Sequence, residues 1–157
     1  MTLAETLLQR LAKWRPDNGR QTLDVAHPES GWTARLDAGH VEALGCRLWE
    51  LTLKSSQPIP AADLNDRAGL IAGRVTGLLE PLAVVEVDVN HGVAQLRSHK
   101  PGQWGNGQFY YELLLHTDGT ANLRRYQAPG KEQPRRQLVP FTLTHEALAN
   151  LVGDLSQ

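Results

Sequence analysis

The chain is poor in sulfur and in large aromatics: one cysteine, one methionine and two phenylalanines among 157 residues. The lone thiol, Cys46, excludes an internal disulfide and any multi-cysteine metal centre. No apolar run reaches membrane-spanning length. The first ten residues, Met1 to Arg10, carry neither a basic leader nor a long apolar stretch. They do not read as a signal peptide, and a cytoplasmic location is the expectation. Reaction motifs are missing as well. There is no P-loop, no His-Glu-x-x-His and no Gly-x-Ser-x-Gly. Gly102-Gln103-Trp104-Gly105-Asn106-Gly107 is glycine-rich but does not match the dinucleotide fingerprint. The six histidines (His27, His40, His91, His99, His116 and His145) include no pair at helical ligand spacing. No metal, cofactor or catalytic residue is therefore assigned, and catalysis is the lesser expectation.

Charge is sparse overall but unevenly placed. The formal net charge is -1, which gives no global pull toward nucleic acid or an anionic membrane. Between His91 and Arg136, however, seven Lys or Arg face three acids, an excess of +4. The remainder of the chain is -5. The positive segment suits solvation of a hairpin surface, or a basic face that meets an acidic partner. Weak nucleic-acid binding through residues 91–136 is the least favoured reading.

Two capped amphipathic helices bracket the chain. Thr2 and Glu5 have capping-box spacing, and Leu3, Leu7, Leu8, Leu11 and Trp14 form one stripe, predicting a helix over 3–14. Pro16 stops it, and Asp17-Asn18-Gly19 reads as a turn. Strand alternation follows through Leu23, Val25 and His27, then Trp32, Ala34 and Leu36, then residues 44–54. Residues 40–45 are ambiguous between strand and helical turn. After the stiff Pro58-Ile59-Pro60 connector, Leu64, Ala68, Ile71, Val75 and Leu78 predict a helix over 61–79, ended by Glu80-Pro81. Gly69, Gly73 and Gly77 lie on one of its faces and would permit close approach of another element.

The second half reads as hairpins. Strands 82–89 and 93–98 flank Asn90-His91-Gly92, and a long loop covers 99–107. Strands 109–116 and 120–127 flank Asp118-Gly119, the strongest hairpin signal of the chain. Residues 136–141 predict a last edge strand, because Pro140 argues against a central place. Thr144 caps a helix over 145–155, with Leu143 and Leu148 at staple positions.

The expected fold is one α+β domain over 1–157. It is an antiparallel meander sheet with helices at the N-terminus, middle and C-terminus, in the order α-βββ-α-ββββ(β)-α. That element order resembles the class I type III secretion chaperones, which are small dimeric cytoplasmic proteins. The resemblance implies a chaperone-like, protein-binding homodimer.

Two surfaces carry the binding expectation. The 97–108 loop combines Arg97, His99 and Lys100 with Trp104. On the hairpin, Tyr110, His116, Arg124 and Tyr126 form an expected exposed strip, with Phe109, Tyr111, Leu113 and Leu115 on the core side. These eight residues (Arg97, His99, Lys100, Trp104, Tyr110, His116, Arg124 and Tyr126) are the candidate site, with Arg135 or Arg136 as further cations. The leading function is a non-enzymatic binding domain for an acidic protein partner. The alternative is a small-molecule site or enzyme in a pocket between helices and sheet, using Glu86, Asp88, His99 and His116.

Overall fold

The computed structural model describes residues 1–16 and 19–157, so Asp17 and Asn18 of the expected turn lie outside it. The elements run α1 (Leu3–Lys13), β1 (Gln21–His27), β2 (Trp32–Val41), β3 (Gly45–Ser55), α2 (Leu64–Arg74), β4 (Leu82–Asp88), β5 (Val93–Ser98), β6 (Gly102–Trp104), β7 (Gly107–His116), β8 (Thr120–Gln127), β9 (Gln137–Val139), β10 (Phe141–Thr144) and α3 (His145–Leu155). This is the expected α+β order with an antiparallel sheet.

Capping fixes both terminal helices. The Thr2 amide donates to Glu5 Oε2 at 2.9 Å, and Thr2 Oγ1 accepts from the Glu5 amide at 3.1 Å. Thr144 Oγ1 accepts from the Ala147 amide at 3.0 Å. α1 buries Leu3, Leu7 and Leu11, whereas Leu8 faces outward, so the stripe is narrower than expected. The middle helix is also shorter than the expected 61–79. It follows a 3-10 turn over Ala61–Asp63 and ends at Arg74, with Val75 already extended yet buried. Thr76 and Gly77 disfavour continuation, and apolar spacing alone overran the end. A methyl group on Gly69, Gly73 or Gly77 would meet open space, so these glycines mediate no close approach.

The sheet runs β1-β2-β3-β8-β7-β5-β4, and every pairing is antiparallel. Residues 40 and 41 belong to β2, and a tight turn closes on β3 with the Glu42 amide donating to the Gly45 carbonyl at 2.8 Å. The expected long loop 99–107 contains a short strand: β6 pairs with the start of β7 in a tight hairpin. The expected edge strand 136–141 is corrected too. β9 pairs with Arg125–Gln127 at the end of β8, and β10 pairs with Gly45–Leu48 at the start of β3. β3 and β8 pair with each other only over Leu51–Lys54 and Thr120–Leu123. The last two strands therefore fill the fork where β3 and β8 diverge. Pro140 falls at the change of partner, where no ladder bond is asked of its nitrogen.

All three helices lie on one face of the sheet. Leu7 and Leu11 of α1, Leu64 and Ile71 of α2, and Leu148 and Val152 of α3 are buried with Leu36, Leu51, Leu96, Leu113 and Leu123 of the strands. Covering one face leaves the other open, and alternation along each strand sends polar side chains to it. Among the described residues, no helix is long and apolar enough to cross a membrane.

Candidate functional site

Strand parity builds the site. Tyr110, Glu112 and Leu114 of β7 point to the open face, opposite the helix-facing Tyr111, Leu113 and Leu115. Register sets Glu112 between Arg97 of β5 and Arg124 of β8, and Tyr110 beside Tyr126. Glu112 is buried and accepts from Gln95 Nε2 and from Arg136 Nη1, each at 2.9 Å. Arg97 Nη2 stands 3.8 Å from the same carboxylate. Arg136 arrives from the segment after β8, its guanidinium 3.9 Å from the Tyr126 ring centroid. Arg97 lies 5.2 Å over the Tyr110 ring, and the two tyrosine rings are 5.8 Å apart. The Tyr110 hydroxyl and the Glu112 carboxylate hold the Arg136 proton more firmly than usual.

This arrangement corrects the expected exposed strip. Tyr110 and Tyr126 are only 9% and 6% exposed. The physical reason is the return of residues 128–136 across the sheet, which lays Arg136 on Tyr126. Arg124 is part-buried and engaged by Glu50 and by the Tyr126 hydroxyl at 3.4 Å. His116 sits half-buried at the far end of β7. His99 and Lys100 are exposed beyond the end of β5, and Trp104 is 59% exposed on the β6–β7 hairpin. The eight candidate residues therefore divide. Arg97, Tyr110, Arg124 and Tyr126 meet on the open face, His116 lies on that face at the far end of β7, and His99, Lys100 and Trp104 stand apart from the cluster.

An open depression of about 720 Å³ remains beside the covering segment. Arg97, Tyr110, Glu112, Arg135 and Arg136 line it, with Pro129 and Pro134 at the rim. Arg97 and Arg136 flank the one carboxylate, and Arg135 also lines the depression, which gives the lining an excess of +2. The buried Arg97 Nε has no hydrogen-bond partner among the described residues. Such a cleft suits an anionic group that accepts from several donors.

The alternative set does not converge. Asp88 on the edge strand accepts from the His91 amide at 3.1 Å and lies 2.7 Å from His91 Nδ1, contacts that hold its carboxyl below the usual range. His99 follows one end of β5, and His116 pairs with Val93 at the other. The expected volume between helices and sheet is filled by the leucine core. Among the described residues, no three His, Cys, Asp or Glu could hold one metal ion.

The sequence reading missed one buried ion pair. Arg125 donates to Glu80 at 2.8 and 3.1 Å, and Ser98 Oγ donates to the same carboxylate at 3.0 Å. Arg125 also lies 4.2 Å over the Tyr111 ring. Parity places Arg125 on the helix side with Leu123, which signals a buried partner. Nothing local identifies Glu80 as that partner. Comparisons with protein-family models, curated proteins and solved structures find no significant match to this chain.

Proposed function

We propose that the protein is a non-enzymatic binding domain that holds an acidic segment of a protein partner in the cleft between Arg97 and Arg136. The carrying observation is the excess of guanidinium groups around the single Glu112 carboxylate, in a depression lined by Tyr110 and two prolines. Arginines over aromatic rings keep their planar donors oriented, which suits carboxylate recognition. The resemblance of the element order to small secretion chaperones supports a protein-binding role. A labelled hexaglutamate peptide titrated by fluorescence anisotropy tests the reading. Binding should weaken with added salt and be lost in the Arg97→Ala/Arg135→Ala double variant. Equal affinity in that variant would count against it.

A second copy of the chain is the partner proposed for a different surface. Leu70 on α2, Leu79 after it, Val84 and Val85 on the edge strand β4, and Val89 just beyond it are large exposed apolar side chains. An uncovered edge strand with such neighbours favours self-association.

A further inference from the structure

A second depression, about 750 Å³, opens on the other side of the covering segment, between the β6–β7 hairpin and residues 127–133. It shares only Pro129 with the arginine cleft, and its chemistry is different. The exposed indole of Trp104 forms one wall. Register sets Trp104 opposite Gly107, so no side chain on the neighbouring strand covers the ring from that position. A methyl group at Gly107 would come within 2.7 Å of Gln127 Nε2 and 3.1 Å of the Phe109 ring, so the bare backbone also lets Gln127 reach in. Asn106, Gln127 and Gln133 bring three carboxamides to the same groove, whereas strand parity turns the Gln108 side chain to the opposite face from Trp104. The charged lining residues are Lys131 and Glu132, which cancel.

We propose that this groove binds a neutral saccharide, with a pyranose ring against Trp104 and its hydroxyl groups on the carboxamides of Asn106, Gln127 and Gln133. The C–H face of a pyranose is apolar and fits an indole face. Each sugar hydroxyl both donates and accepts. A carboxamide offers both roles, whereas an arginine offers only donors. An apolar platform with a few converging polar groups is the usual form of a small-ligand site. The absence of net charge separates this ligand from an anionic one. The single aromatic ring, with no excess of cations nearby, argues for a sugar over a stacked nucleotide, whose phosphates need positive neighbours. The inference stands independently of the arginine cleft.

The test is an NMR titration of the full chain with maltotriose, cellotriose and laminaritriose, following the Trp104 Nε1–H and the side-chain amides. At least one trisaccharide should shift Trp104 and the three carboxamides while leaving Arg97 and Arg136 unmoved. Trp104→Ala should weaken that binding at least about tenfold. Gln127→Ala, which leaves the indole in place, should weaken it several-fold. No shift at Trp104 with any of the three sugars would overturn the proposal. So would tighter binding of a trigalacturonate or of adenosine at the same resonances. Failure here leaves hexaglutamate binding at the arginine cleft unaffected, so the two readings fail separately.

Discussion

Arg125 and Glu80 form a two-pronged ion pair, 2.8 and 3.1 Å long, with both side chains buried beneath the sheet–helix interface. The pair joins the segment entering β4 to the end of β8. Removing one member leaves an uncompensated buried charge. Arg125→Met or Glu80→Leu alone should lower stability by about 3–5 kcal/mol. The double variant should lose markedly less than the two singles together. Urea midpoints of the four proteins measure the coupling, and strict additivity would show that the pair is not the relevant unit.

Cys46 is buried, and burial pushes its thiol up to about 12 from an ordinary 9.0. The native thiol should resist aromatic disulfide reagents at pH 8 and react fully in urea. The sign for stability follows from linkage. The unfolded thiol ionises first, so its contribution is fully present below about pH 9 and is lost as pH rises toward 12. The fall in melting temperature across that range should be smaller in Cys46→Ala than in the parent protein.

Gly119 closes the β7–β8 hairpin at φ +94, and its amide donates to the His116 carbonyl at 3.0 Å. A methyl group there would meet the Ser55 carbonyl oxygen at 2.8 Å. Strain and clash combine, so Gly119→Ala should cost more than about 1 kcal/mol in thermal or urea unfolding. A neutral result would mean that the turn relaxes freely.

How much was legible in the sequence divides along physical lines. Local signals succeeded. The Thr2–Glu5 box, the Thr144 cap and the Asp118-Gly119 hairpin each encode their geometry within a few residues, and the α+β order followed from them. Non-local contacts were not legible. Tyr110 and Tyr126 alternate as an exposed pair should, but residues 128–136 return over them, and no short-range pattern announces that return. Pro140 read as an edge residue because strand logic assumes one partner per strand. Here the strand changes partner at the proline. Arg125 shares strand parity with Leu123, but Glu80 was reachable only through tertiary structure.

The apolar residues on α2 and β4 should direct self-association. Light scattering should give a dimer mass, and Val85→Lys, at an already exposed position, should return a folded monomer. A parent protein that is monomeric at high concentration would remove that partner from the account.

Arg136 links the covering segment to the open face, stacking on Tyr126 while donating to Glu112. Arg136→Ala should speed amide exchange across residues 128–136 and expose Tyr126, with about 1 kcal/mol or more lost in stability. Unchanged exchange in that segment would mean that other contacts hold it down.

The most direct test of the binding account is chemical-shift mapping of hexaglutamate on the isotopically labelled chain. The expected result is a set of salt-sensitive shifts confined to Gln95, Arg97, Tyr110, Glu112 and residues 134–136. Shifts centred on the α2–β4 side, or none at any residue of the open face, would contradict it.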